Sequence, residues 1–206
     1  MAERIALVDY GAGNLKSVEN ALRAAGATAV DVTADPAIVR AADRIVLPGV
    51  GAFAACMGAL SGISGMIAAM DEAVRGRGRP FLGVCVGMQL LADAGEEHGR
   101  HPGLGWIGGT VRALNPADPA LKVPHMGWND VRPTRPGGLI EPGEAYYLHS
   151  FAFDGAAPED LAATTDHGGP VTAAVARDTI IGVQFHPEKS QAYGLAFLAR
   201  FLAWKP

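Results

Sequence analysis

Up to about Gly95 the chain alternates short apolar runs, bounded by glycine, proline or charge, with amphipathic stretches. Arg4–Asp9 (RIALVD) reads as a buried strand, followed by the glycine loop Tyr10–Gly13 and a helical stretch over Asn14–Ala25. A second strand is expected over Ala27–Thr33, a short helix from Pro36, and a third strand over Arg44–Leu47 that runs into Pro48-Gly49-Val50-Gly51. Helix is expected within Ala54–Arg75, a fourth strand over Pro80–Val84 entering Cys85, and a further helix over Val86–Ala94. Strands that alternate with helices predict a parallel sheet covered on both faces.

After Gly95 glycines and prolines recur at short intervals. Candidate strands lie at Trp106–Leu114, Ala145–Phe153, Val171–Arg177 and Thr179–Phe185, and read as antiparallel additions to the first half. Gln191–Trp204 closes the chain as an amphipathic helix, with Leu195, Leu198, Phe201 and Leu202 at helical spacing. No repeat, low-complexity stretch or linker interrupts the chain. The expected fold class is therefore α/β: a doubly wound, mostly parallel central sheet with helices on both faces and antiparallel strand additions in the C-terminal half, in one domain over residues 1–206.

Composition narrows the function classes. Seventeen Lys+Arg against 21 Asp+Glu give a net charge of −4, and the few aromatics and scattered basic residues offer no surface for nucleic acid. Ile45–Met70 is free of charge over 26 residues, but Pro48 and five glycines interrupt it, so a membrane span is rejected. The opening residues MAERIALVDYGAGN do not form a signal peptide, and two cysteines, Cys56 and Cys85, are too few for a disulfide framework. A reducing, cytoplasmic setting is expected, with a thiol free for chemistry.

The strongest local signal is Gly83-Val84-Cys85-Val86-Gly87, placed between a predicted strand and a predicted helix. Small neighbours let the backbone bend sharply there while exposing the nucleophile, and a helix N-terminus favours thiolate. The competing reading is a cysteine that simply fills core, and Cys56, without such a context, is assigned to core. Of six histidines, His186 alone follows a strand and stands two residues from a carboxylate, in Gln184-Phe185-His186-Pro187-Glu188. Pro187 keeps His186 extended, and on an extended segment Glu188 projects to the same side. A Cys85-His186-Glu188 triad follows, in which Cys85 attacks, His186 carries the proton and Glu188 orients the ring; a surface turn is the alternative. The Val86 amide is a natural oxyanion donor, and the Pro48–Gly51 loop can present another. That loop and Tyr10–Gly13 both fail the phosphate-binding patterns, so no nucleotide cofactor is expected. No histidine or cysteine cluster has metal-ligand spacing, so no metal is expected.

These residues together resemble the class I, triad-type glutamine amidotransferases: Pro48–Gly51, Gly83–Gln89 and His186-Pro187-Glu188 occur in the family's order across nearly the whole chain. The resemblance implies hydrolysis of glutamine's side-chain amide through a glutamyl thioester, with release of ammonia. It further implies an oxyanion hole at Val50, Gly51 and Val86, and glutamine held by Gly49, Gly51, Gln89, Ser150 and Phe151. Further blocks are similar to the branch of the family that serves histidine biosynthesis: Val8–Asn14, Pro48–Phe53, Pro124–Asn129, His149–Phe151 and Gln184–Ser190. Val86, where leucine is frequent, and Phe151, where tyrosine is common, are mild departures. That branch implies a (β/α)8-barrel cyclase as partner in a heterodimer, with Asn14, Trp128, Tyr146 and Lys189 as interface or gate positions. It also implies low activity in isolation, with a ligand bound to the barrel switching the glutaminase on; the glycine-flanked Gly49-Val50-Gly51 peptide offers a physical route, its Val50 N–H turning to the oxyanion only when the interface rearranges. The alternatives are a glutaminase serving another synthase, a catalytically silent assembly subunit, and a peptidase or small hydrolase on a related sheet.

Overall fold

The computed structural model describes residues 3–206. In chain order, β1 (Arg4–Val8) leads through α1 (Leu15–Ala24) to β2 (Ala29–Thr33), and α2 (Pro36–Ala41) returns to β3 (Arg44–Leu47). α3 (Phe53–Gly62) and α4 (Met66–Asp71), the latter prolonged by a π turn over Glu72–Gly76, lead to β4 (Phe81–Val84) and α5 (Val86–Gln89). Then come β5 (Ala94–Gly95), β6 (His101–Pro102), β7 (Thr110–Ala113), β8 (His125–Pro133), β9 (Gly143–His149) and β10 (Phe151–Asp154). β11 (Leu161–Asp166), β12 (Pro170–Arg177), β13 (Ile180–Val183), a 3₁₀ turn at Pro187–Lys189 and α6 (Gln191–Ala203) complete the chain.

A nine-stranded sheet runs in the order β2-β1-β3-β4-β13-β12-β11-β8-β9. The first five strands are mutually parallel; β12, β11, β8 and β9 continue it antiparallel. Every residue of β3, β4 and β13 is buried, as a parallel strand covered on both faces requires. The helices pack as two groups, α1 against α6 and α2 and α3 against α4, in keeping with right-handed crossovers on opposite faces. α1 is capped by Asn14, whose side chain accepts from the Ser17 amide, and α2 by Asp35 with Pro36 in its first turn. The order in which strands are added to the sheet reverses between β1 and β3, and the loops beyond the carboxyl ends of such strands are where ligands bind in open α/β sheets.

Three expectations are corrected. The helix over Val86–Ala94 stops at Gln89, because the carbonyls of Leu90, Leu91 and Ala92 accept instead from the amides of Leu104, Trp106, Ile107 and Gly105. Gly103 makes that approach possible, since a Cβ there would lie 2.1 Å from the Ala92 oxygen. For the same reason Trp106–Leu114 is extended only over Thr110–Ala113. Ala145–Phe153 breaks at Ser150: β9 belongs to the large sheet, whereas β10 pairs with β7 in a second sheet ordered β10-β7-β5-β6. Strands β8 and β11 are additions that the pattern does not announce.

Among the described residues no helix is long and apolar enough to cross a membrane, and α3 and the α4–π segment meet at 90°. An aromatic cluster seats the end of β13. Phe185 lies edge-to-face against Tyr147, Tyr193 and Phe197 at centroid distances of 6.0, 5.8 and 5.6 Å. Phe197→Ala is expected to cost about 3–5 kcal/mol of stability, as full truncation of a buried aromatic does; guanidinium unfolding of the two proteins checks it.

Candidate active site

Cys85 sits on the bend between β4 and α5 with φ 55° and ψ −113°, a conformation that non-glycine residues rarely adopt. Such a bend costs about 1–3 kcal/mol and persists only when its surroundings enforce it. Here Cys85 N–H donates to the Val183 carbonyl at 2.8 Å, and glycines let α5 lie directly on the sheet. A Cβ on Gly87 would stand 1.9 Å from the Leu47 oxygen, and one on Gly83 would stand 2.6 Å from the Gly87 oxygen. Gly83 is paired in register with Gly182, whose own Cβ would meet Met88 at 2.7 Å.

His186 follows β13, extended at φ −98° and ψ 99° as Pro187 requires. The extended geometry does not continue to Glu188. Pro187 opens the 3₁₀ turn, and that turn brings the carboxylate back, with Glu188 Oε1 2.8 Å from His186 Nδ1. On its other side the ring is close enough to Cys85 for the thiol to favour its charged form. Burial opposes a charged imidazole here, but the hydrogen bonds and charges of Cys85 and Glu188 outweigh it and raise His186 to about 9. Ser190, a residue the sequence reading gave no role, accepts from the Tyr146 amide at 2.9 Å and donates to the His186 carbonyl at 2.7 Å. The His186 amide donates to the Tyr146 carbonyl at 2.9 Å, so the triad histidine and β9 are tied through both backbone groups of Tyr146.

A cavity of about 310 Å³ opens over the triad, lined by Val50, Gly51, Cys85, Val86, Gln89, Glu97, Pro124, Leu148, His149, Ser150, Phe151, His186 and Lys189. Gln89 Nε2 donates to the Phe151 carbonyl at 2.9 Å and to Gln184 Oε1 at 3.0 Å. Gln184, fully buried, lies with its Nε2 3.7 Å from Cys85 Sγ. Gln184 and His149 stand within blocks of the sequence reading but receive no role there, and Glu97 receives none, because a lone polar residue acquires such a place only through tertiary structure.

The Pro48–Gly51 loop is held by three successive carbonyls. Tyr10 Oη donates to Pro48 O at 2.6 Å, Val86 N–H to Gly49 O at 3.3 Å, and Cys56 Sγ to Val50 O at 3.3 Å. Burial above all pushes the Cys56 thiol up, which keeps it an S–H donor rather than a nucleophile. Because a trans peptide points its C=O and N–H in opposite directions, the Gly49 carbonyl facing Val86 turns the Val50 N–H away from Cys85's neighbouring amide. Gly49 must be glycine: a Cβ would lie 2.6 Å from the Gly87 nitrogen.

Beside the cavity, β8 and β9 pair Met126 with Leu148 and Trp128 with Tyr146, all on one face. Met126 is 65% and Trp128 47% exposed. Trp128 meets Tyr146 edge-on at 6.1 Å, and Lys189 Nζ lies 5.8 Å from the Tyr146 ring centroid. Asn14, exposed at the start of α1, is occupied in capping that helix.

A nucleophile on a strained bend, a paired histidine and carboxylate, and an amide-rich loop are the parts of an acyl-transfer site. The sequence profile described as glutamine amidotransferase class-I matches residues 6–203. The chain belongs to this family. It is 62% identical over 208 residues to the imidazole glycerol phosphate synthase subunit HisH of Zymomonas mobilis, covering 98% of this chain and 96% of that one. It is 55% identical to the HisH subunit of Rhodospirillum rubrum, covering 98% and 100%. Within the amidotransferases it therefore falls in the HisH branch. A crystal structure of a glutamine amidotransferase shares the fold at a TM-score of 0.74 and 15% identity, covering 97% of this chain and 99% of that chain.

The His186–Glu188 pair beside Cys85 carries a pH signature. A histidine raised to about 9 in the folded state stabilises the fold fully below its ordinary value of about 6.5, and that contribution is lost as pH rises through 9. Glu188→Gln is expected to lower stability most at pH 6 and least at pH 10. Denaturant unfolding at both values checks it, and an equal penalty at each would contradict the assignment.

Proposed function

We propose that the chain is the glutaminase subunit of an imidazole glycerol phosphate synthase, a single glutaminase domain acting in the cytoplasm on free glutamine. Cys85 beside the hydrogen-bonded His186–Glu188 pair, beneath a cavity of amino-acid size, carries this reading. In it, Cys85 Sγ, its proton already passed to His186, attacks the side-chain carbonyl carbon of glutamine, and the C=O π pair moves onto oxygen. The tetrahedral oxyanion collapses, the C–N bond breaks, and His186 returns the proton to the leaving ammonia. Water activated by the same ring then cleaves the thioester, giving glutamate and free Cys85. Gly49, Gly51, Gln89, Ser150 and Phe151 hold the substrate, and Glu97 offers a carboxylate for its α-ammonium group.

The oxyanion requires donors from Val86, with Val50 or Gly51. In the arrangement described above, the Val86 amide is engaged by Gly49 O and the Val50 amide faces away, which supports a resting state of low activity. Turning the Gly49–Val50 peptide exchanges a carbonyl for an N–H at that point, and one such donor is worth roughly 10²- to 10³-fold in rate. The partner that turns it is a (β/α)8-barrel cyclase. The apolar face of Met126, Trp128, Tyr146 and Leu148, next to Lys189 and the cavity rim, is suited to dock it. Docking there seals ammonia from water, where protonation would make it unreactive.

Glutamate release from glutamine, measured for the chain alone and with the cyclase and its nucleotide substrate, tests the proposal. Stimulation of roughly 10²- to 10³-fold is expected, abolished in Cys85→Ala and retained in Cys56→Ala. Hydrolysis without stimulation would point to a different synthase, and none under any condition to a silent assembly subunit. Trp128→Ala is expected to weaken cyclase binding by about 2 kcal/mol, roughly 30-fold in Kd, read by titration calorimetry.

A further inference from the structure

Behind the cavity, on the inward face of β8 and β9, a chain of polar side chains runs in one direction. Asn129 Oδ1 accepts from the Asp130 amide at 2.8 Å, which identifies the other end of the side chain as its NH2 group. That Nδ2 donates to the Asp166 carbonyl at 2.7 Å and faces His125 Nε2 at 3.0 Å. His125 Nε2 must therefore accept, so the ring's proton sits on Nδ1, 2.9 Å from His149 Nε2. His149 Nε2 accepts in turn, and its Nδ1 proton is donated to the Phe151 carbonyl at 2.9 Å. A carbonyl at one end and an NH2 group at the other impose the same direction independently. Both rings are buried, and burial pushes each down to about 4, so each carries the single proton that the chain needs. His125 is further fixed between the stacked rings of Tyr147 and His167, at 4.8 and 4.2 Å.

The chain ends on the one backbone carbonyl of the cavity that also accepts from Gln89. Ser150–Phe151 is where the polypeptide leaves the large sheet for the small one, so neither sheet alone fixes it. Apolar side chains would fill the inward positions of β8 and β9 with less desolvation. A fully satisfied polar network adds instead a unique orientation of the groups it joins. The outward positions of the same two strands, Met126, Trp128, Tyr146 and Leu148, form the exposed face beside the cavity.

We propose that Asn129, His125 and His149 are positioning residues that hold the Phe151 carbonyl and its peptide in register with bound glutamine. This rests on the glutaminase reading and adds a second set of residues to it. Two variants separate positioning from packing. His125→Leu fills the space but removes the donor to His149, whereas His125→Asn retains an N–H near the place of Nδ1.

In the complex with the cyclase, His125→Leu is expected to raise KM for glutamine about three- to tenfold, the effect of one neutral hydrogen bond, with kcat within about twofold. His125→Asn is expected to stay near the wild-type KM. Nitrogen-15 imidazole shifts of the wild-type chain, which need no variant to fold, are expected to place the proton of both rings on Nδ1. Rings protonated on Nε2, equal KM defects in both variants, or a wild-type KM in His125→Leu would each overturn the proposal. A wild-type complex that releases no glutamate would overturn the glutaminase reading itself, and the positioning role with it.

Discussion

The site depends on a close approach of backbone to backbone. α5 can start on top of β3, β4 and β13 only because Gly83, Gly87 and Gly182 carry no Cβ; with one, carbonyl oxygens and Met88 would be met at 1.9 to 2.7 Å. That contact forces the unfavourable bend at Cys85 and directs the sulfur toward the end of β13, where His186 emerges. It also sets the distance between Gly49 and the first amide of α5. Cys85, His186 and the Pro48–Gly51 loop are thus placed by one steric condition, while their electrostatics is set by residues outside it.

Electrostatics then acts on this frame. Burial alone would keep His186 neutral; Cys85 on one side and Glu188 on the other reverse that. The same low-dielectric interior acts oppositely on His125 and His149, which have no carboxylate facing them and remain uncharged. Glu188 Oε2 is buried without a hydrogen-bond partner among the described residues, a destabilising arrangement tolerable where the carboxylate's charge is needed on the imidazole. Three buried histidines therefore divide into one charged and two neutral, according to the groups that face them.

Legibility in the sequence follows the range of the interactions. β1, β3 and β4 are readable because strands covered on both faces are continuous apolar runs, and β3 coincides with its expected range. The juxtaposition of Cys85 and His186 is readable because each stands at a strand end with its own local punctuation. The helix after Cys85 is overextended because its apolar spacing persists to Ala94, while the competing hydrogen bonds come from Gly103–Ile107. β8 escapes notice because its polarity is inverted: His125 and Asn129 turn inward, Met126 and Trp128 outward. Gln184 and Ser190 stand inside a recognisable block, yet their partners lie across the fold.

The inverted strand also bears on how many copies of the chain a cell can carry. β9 ends the large sheet, and although Ser190 and His186 blunt its edge at Tyr146, the apolar face it shares with β8 has no cover among the described residues. An uncovered face of this kind at a sheet margin is adhesive, and its tendency to self-associate grows with concentration. Synthesis in excess of whatever occupies that face therefore carries a solubility penalty. The same hairpin links dosage to the proposed function, because Met126 and Trp128 on one side and His125 and Asn129 on the other are carried by one strand.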